Sequence, residues 1–289
     1  MAVGGSFIFE AIGTRWQIDT AVALEPEVRA AIAGLIEDYD ALYSRFRPDS
    51  AVAALAAGGG RLALPAHGAA LGRLYQKLYR LTNGSMSPLV GSVLEHQGYD
   101  ALYSFTPKGP PAPARVWDEA LDWEGPVVTA HGPVTLDVGA AGKGQLVDLV
   151  GGLLTDAGHT EFLVDASGDM LHTGATALTV GLEHPYDPAR AIGTVQLHGR
   201  ALCASASNRR AWGDGLHHVI DARTGTSVST VVATWVLAAD TMTADALATA
   251  LFLAEPEVLA AEFAFDFVQV FSDGHARFSP TLNGALFTP

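Results

Sequence analysis

From Glu161 to Ala239 the chain runs through strand-like segments with no helical pattern between them: EFLVDAS, ALTVGLEH, GTVQLHG, ALCASAS, LHHVIDA and VVATWVLAA. Turn residues such as Ser167-Gly168-Asp169 and Arg223-Thr224-Gly225 punctuate the series. Parallel neighbours need a crossover of a dozen or more residues, usually a helix, so consecutive strands of this kind pair antiparallel. That favours an α+β fold, mainly antiparallel sheets with flanking helices, over a doubly wound parallel sheet.

The helices lie outside this block. Over Pro26 to about Tyr43, the spacing of Val28, Ile32, Leu35, Ile36 and Tyr39 fits one helical face. A second helix is predicted from His67 to Thr82, stopped by Asn83 and Gly84. A last helix, about Thr243 to Phe263, precedes the strands DFVQVFS and HARFSP. The opening FIFEAIGTRWQIDTAV reads as two strands broken at Gly13, and TPKGPPAPAR, residues 106–115, as an exposed connection. No boundary divides the chain, so a single domain over 1–289 is expected.

Charge and cysteine content narrow the function. Seventeen Lys plus Arg stand against 31 Asp plus Glu, a balance that opposes non-specific binding to nucleic acid or anionic membrane. An anionic substrate needs a locally built site. One cysteine, Cys203, excludes an intrachain disulfide and a cysteine-rich metal centre. Glu10, Arg15 and Asp19 interrupt the N-terminal apolar run, so the chain as it stands reads as cytoplasmic. A chain trimmed of an export leader reads the same way.

Three constellations carry possible chemistry. In the first, Pro133 to Val138 reads as a strand, Gly139-Ala140-Ala141-Gly142-Lys143-Gly144 as a turn, and Gln145 to Ala157 as a helix. Helix-start N–H groups and Lys143 suit phosphate oxygens. The segment is neither a Walker A loop nor a GxGxxG fingerprint, and it reads equally as a plain tight turn with a solvated lysine. The second is Thr241-Met242-Thr243-Ala244-Asp245-Ala246-Leu247-Ala248-Thr249, which puts Asp245 and Thr249 on one helical face. A carboxylate, a hydroxyl, a carbonyl and substrate phosphates suit magnesium. Capping by Thr241 or Thr243, with Asp245 complementing the helix dipole, is the plainer reading of those residues alone. The third, His217-His218-Val219-Ile220-Asp221, sends one imidazole to each face of a strand, and one of them is available as a base or substrate ligand.

In this order and spacing the segments resemble the ApbE family, the FAD:protein FMN transferases. The likeness starts at Ala11-Ile12-Gly13-Thr14 and passes Tyr43-Ser44-Arg45-Phe46-Arg47-Pro48-Asp49-Ser50, Asn83-Gly84 and LDVGAAGKG. It continues through Asp165 to Asp169, Val180-Gly181-Leu182-Glu183, ALCASAS, HHVIDARTG and TADALATA. The resemblance implies FAD in a cleft between sheet and helices, magnesium on its diphosphate, and transfer of FMN to a Ser or Thr hydroxyl of an acceptor protein with an FMN-binding domain. AMP is the expected leaving group. It also implies Asp245, Thr249 and the Gly142 carbonyl as metal ligands. Asp137 and Lys143 would contact the nucleotide, Ile12 would line the pocket and Phe46 would lie against the isoalloxazine. Ser205 is placed near the site, and His218, rather than His217, matches the family histidine; His218 and Asp245 are the expected catalytic pair. The family often has Gly-Ala-Phe-Asp where this chain has Gly84-Ser85-Met86-Ser87, so Ser85, Met86 and Ser87 stand at a flavin-contacting stretch without its aspartate. Phe46 replaces a common tyrosine and Gly142 a usual alanine. Rival readings are an FAD diphosphatase that uses water as nucleophile and a non-catalytic FAD-binding protein.

Overall fold

A computed structural model describes residues 4–287 of the chain. The first three residues of the stretch read for a leader, and the last two of the predicted 1–289 domain, lie outside the described residues. The main sheet has eight strands: β1 (Gly5–Ala11), β2 (Thr14–Thr20), β3 (Phe162–Asp165), β4 (Asp169–Thr173), β5 (Ala201–Ala206), β6 (Val231–Ala238), β7 (Asp266–Phe271) and β8 (Ala276–Phe278). Their order across the sheet is their order along the chain, and every neighbour is antiparallel. The α+β expectation from uninterrupted strands therefore holds.

β6 shows how the sheet divides two cores. All eight of its residues are buried. Side chains alternate across a strand, so Val236 and Ala238 join the cluster under the helices while Ala233, Trp235 and Leu237 join a second cluster on the opposite face. A three-stranded sheet of Leu178–His184, Asp187–Leu197 and Gly284–Leu286 supplies Leu182, Val195 and Leu197 to that second cluster. On the first face lie α1 (Pro26–Tyr43), α2 (Gly68–Leu81), α3 (Gly142–Asp156) and α4 (Thr241–Ala250). Their buried Ile32, Leu71, Leu78, Leu146, Val150 and Leu247 pack with Trp16 and Ile18 of β2. Each such side chain contributes about 1.5–3 kcal/mol on burial.

The sequence expectations need several corrections. Residues 133–138 form no strand. They are extended, but their backbone bonds run to loop and helix carbonyls, Val134 N to Leu55 O and Asp137 N to Pro88 O. The glycine-rich turn is shorter than expected because α3 starts at Gly142 and takes Lys143 and Gly144 into its first turn. The last helix is two: α4 ends at Ala250, and a separate turn of helix spans Pro256–Ala260. Pro256 cannot donate to the preceding turn, and it holds Glu255 extended at φ −66°, ψ 142°. LHHVIDA is likewise two short pieces, Leu216–His217 and Ile220–Asp221, each in a two-stranded ribbon. A helix over Ala51–Gly58, capped by Ser50 Oγ on Ala53 N, escaped the periodicity because AVAALAAG is apolar on every face.

Candidate active site

A cleft of about 1100 Å³ opens between the helical layer and the loops at one end of the main sheet. Its floor is the crossing of α3 and α4. The two helices cap one another: the Asp148 carboxylate of α3 accepts from Thr241 N and Met242 N of α4 at 2.8 Å each, and Asp245 of α4 accepts from Gly144 N of α3 at 2.9 Å. Asp240, not Thr241 or Thr243, is the N-cap of α4, taking Thr243 N at 2.8 Å. Gly144 permits the crossing, since a Cβ there would stand 2.3 Å from Thr241 O and 2.8 Å from Asp245 Cβ. Burial pushes the Asp148 carboxyl up to about 6 against the pull of its two backbone donors.

Asp245 sits in the second turn of α4, beyond reach of a capping role in its own helix. Burial, then the nearby Asp169 charge, pushes its carboxyl up to about 8, with Lys143 acting the other way. Such a group is short of positive charge, and a proton or a cation has to make up the difference. Thr249 follows one turn later, half-buried in the same cleft, and its hydroxyl bonds no backbone carbonyl among the described residues. Gly142 lines the cleft beside them. No group of three or more His, Cys, Asp or Glu suited to a metal occurs among the described residues. A cation held here would therefore rest on one carboxylate and neutral oxygens, and the under-compensated Asp245 beside Thr249 fits that demand.

The helix start is less open to anions than its sequence suggested. Ala141 N and Gly142 N bond Val138 O, and Gly144 N is taken by Asp245. Lys143 is not a solvated lysine. Its Nζ bonds Ala166 O at 2.9 Å and pairs at 2.9 Å with Asp169, whose side chain is almost wholly buried. Burial works against the ammonium, but Asp169 and Asp245 outweigh it and hold Lys143 above its ordinary value.

One wall is built from the loop after α1 and the segment leading into α3. Burial alone would raise the Asp137 carboxyl, yet Arg45 Nε at 2.6 Å and Gly139 N at 2.7 Å bring it below its ordinary range. Arg45 is itself buried, bonds Tyr99 O at 2.9 Å, and lies 4.1 Å from the Phe46 ring centroid. Phe46 stacks on Tyr103 with centroids 5.4 Å apart and planes 4° from parallel. Ser85 and Met86 are buried behind α2, and Ser87 caps the short helical turn Pro88–Val90 by accepting from Leu89 N at 3.2 Å. All three border the cleft. Ser205 enters from β5, and Ile12 from the β1–β2 hairpin. The hairpin has a two-residue turn with φ 45° at Ile12 and 73° at Gly13. A β-branched residue is strained there, by about 1–3 kcal/mol.

The two histidines point apart, although the strand that alternation assumed ends at His217 and His218 stands in the bend after it. His217 is buried, with Nε2 2.7 Å from Val228 O and Nδ1 accepting from Val219 N, and takes no part in the cleft. His218 borders the cleft. Burial, helped by the Arg210 and His217 charges, lowers its imidazole to about 3, and its Nδ1 is buried without a partner. It is a neutral ring with a free nitrogen.

Every residue singled out in the sequence as a site candidate thus borders one cleft. Several that also border it were not singled out: Arg45, Arg210, Tyr103, and Tyr39, Tyr43 and Tyr75 on α1 and α2. The i, i+4 pair Tyr39 and Tyr43, and the doublet Arg209-Arg210 in an acidic chain, were the available signals. Asp148 had none, and Asp169 entered only as the end of the Asp165 to Asp169 stretch, with nothing in the sequence to link it to Lys143.

A profile described as the ApbE family matches residues 12–266. The chain is 28% identical over 277 residues to the FAD:protein FMN transferase of Rhodobacter capsulatus, covering 86% of this chain and 51% of that protein. It thus spans about half the length of that curated relative. Among solved structures, the apbe protein of Thermotoga maritima superposes with TM-score 0.81 at 22% identity. The flavin transferase ApbE of Vibrio cholerae gives 0.75 at 21%, and in both cases the match covers 96% of this chain and 97% of the other. Those two likenesses establish the fold, and the profile, spanning nearly the whole chain with the cleft's residues inside its limits, makes the chain a member of the ApbE family.

Proposed function

We propose that this chain moves the FMN portion of FAD onto a Ser or Thr hydroxyl of an acceptor protein, in a magnesium-dependent reaction that releases AMP. The observation that carries the reading is the convergence of Ile12, Phe46, Asp137, Lys143, Ser205, His218 and Asp245 on one cleft in a chain of this family. A planar ring system suits the aromatic wall of Phe46, and the diphosphate suits the floor at Gly142, Asp245 and Thr249. A divalent cation bound there supplies the positive charge that Asp245 lacks and screens the diphosphate.

In the transfer, the acceptor oxygen forms a bond to the FMN phosphorus, the bond from that phosphorus to the bridging oxygen breaks, and AMP keeps the electron pair. The hydroxyl proton goes to a base. His218 is neutral, so its unprotonated ring nitrogen is in the form that accepts a proton. Its low basicity calls for the dianionic diphosphate nearby to favour the imidazolium. Asp137 is held ionised by Arg45 and orients the wall. Asp245 and Thr249 position the diphosphate end. Catalysis on this plan is mainly positioning and charge stabilisation.

Incubation with FAD and magnesium, with and without a flavin-accepting domain, tests the reading. Covalent flavin on the acceptor supports it. Free AMP and FMN with no acceptor labelling would make the chain a diphosphatase. Bound but unchanged FAD would make it a flavin carrier.

A further inference from the structure

Five Lys and Arg side chains border the cleft, and four are committed to carboxylates. Arg45 pairs with Asp137 at 2.6 Å, Arg47 with Glu37 at 2.6 Å, Lys143 with Asp169 at 2.9 Å and Arg209 with Glu183 at 2.9 Å. Arg210 forms no ion pair among the described residues. Its loop is nevertheless pinned on both sides. The Asn208 amide bonds Pro185 O, Arg209 is tied to Glu183, Trp212 Nε1 donates to Gln97 O at 2.9 Å, and His218 N donates to Arg210 O at 3.3 Å. The anchors leave the Arg210 side chain to border the cleft, and its charge bears at once on Asp137 of the wall, Asp245 of the floor, Tyr99 and His218.

An anion entering this cleft meets Asp137, Asp245 and Glu183, in a chain of net charge −14. The paired cations have already spent their charge on carboxylates. We propose that Arg210 is a further substrate-contacting residue, whose guanidinium binds phosphate oxygens of the dinucleotide and stabilises the charge that builds on them as the phosphorus is attacked. A planar, permanently charged fork suits that task better than an ammonium. The inference rests on FAD being the substrate.

The test compares wild type, R210Q, R210K and R190Q by calorimetry with FAD and with riboflavin, which shares the ring system and lacks phosphate. R190Q changes net charge equally at an exposed strand position away from the cleft. R210Q is expected to weaken FAD on the order of tenfold or more, the range of a charge-assisted hydrogen bond, and to leave riboflavin unchanged. R210K should fall between, and transfer at saturating FAD should slow in the same order. FAD affinity in R210Q equal to wild type, an equal loss for riboflavin, or the same loss in R190Q overturns the assignment of Arg210 while leaving the flavin reading intact. A wild-type chain that binds neither flavin overturns both.

Discussion

The floor and the rim of the cleft are built by opposite means. At the floor, α3 and α4 approach until only glycine fits at position 144, and each helix satisfies the other's N-terminal donors with a carboxylate, Asp148 in one direction and Asp245 in the other. At the rim, His218, Arg210, Phe46 and Tyr103 stand on loops and short ribbons, held by single hydrogen bonds and ring contacts. A floor of mutually capped helices is rigid and resists change. A rim fastened at points gives way more readily than the floor does.

The contrast predicts that floor variants separate into chemical and structural classes. Asp245→Asn keeps an oxygen to accept from Gly144 N but removes the charge. It should lower FMN transfer on the order of 10³-fold with little change in melting temperature, whereas Asp245→Ala should also lose about 1 kcal/mol of stability. Near-normal turnover by folded Asp245→Asn at ordinary magnesium would end the metal assignment. Gly144→Ala attacks the crossing itself. Its Cβ has to displace backbone of α4, so a loss of about 3 kcal/mol in denaturant unfolding is expected. A stable Gly144→Ala protein would mean that the helices are not locked.

At the rim the expected effects are smaller and show in pH and specificity. The His218 imidazole, lowered to about 3 by burial, Arg210 and His217, with Asp137 opposing, binds fewer protons folded than unfolded. The stability it contributes is complete above its unfolded value of about 6.5 and is lost as pH falls toward 3. Nuclear magnetic resonance of the ring should show it neutral at pH 5, half-protonated near 3 in the free protein, and shifted upward by bound FAD. A midpoint near 6.5 would remove the buried, neutral base. Thr249→Ala should slow transfer about tenfold and be restored by excess magnesium, because water replaces a hydroxyl ligand without loss of charge. Phe46→Tyr keeps the stacked surface against Tyr103 and Arg45, so FAD affinity should hold within about twofold, while the ratio of transfer to hydrolysis rises. An unchanged ratio would leave Phe46 a packing residue only.

Legibility followed the same division. α1 was readable from period and α2 also from Asn83 and Gly84, and the antiparallel sheet from strands without crossovers, since each depends on neighbours in sequence. The boundaries of α3 and α4 were not. The first turn of α3 is held by Asp245, more than 90 residues from the Gly144 N it takes, and α4 is held both by its local cap Asp240, passed over for Thr241 or Thr243, and by Asp148 from across the crossing. Neither sequence reading of Lys143, phosphate ligand or solvated side chain, anticipated its ion pair, because nothing near it in sequence announces Asp169. His218 was chosen over His217 by the family resemblance, but its loss of basicity comes from surroundings that no local pattern records.

By itself the sequence determined α1, α2 and most strands of the main sheet, that the sheet is antiparallel, and which short motifs stand in an order resembling the flavin transferases. The helices and strands follow from side-chain periodicity and turn chemistry, which act over a few residues, and the motif order from resemblance to a family. Only the tertiary structure decided that Asp137 is spoken for by Arg45, that Lys143 is spoken for by Asp169, and that Arg210 is left with its charge unspent. Ion pairing and desolvation depend on distance through space, and packing α3 against α4 and closing the loops over them set those distances.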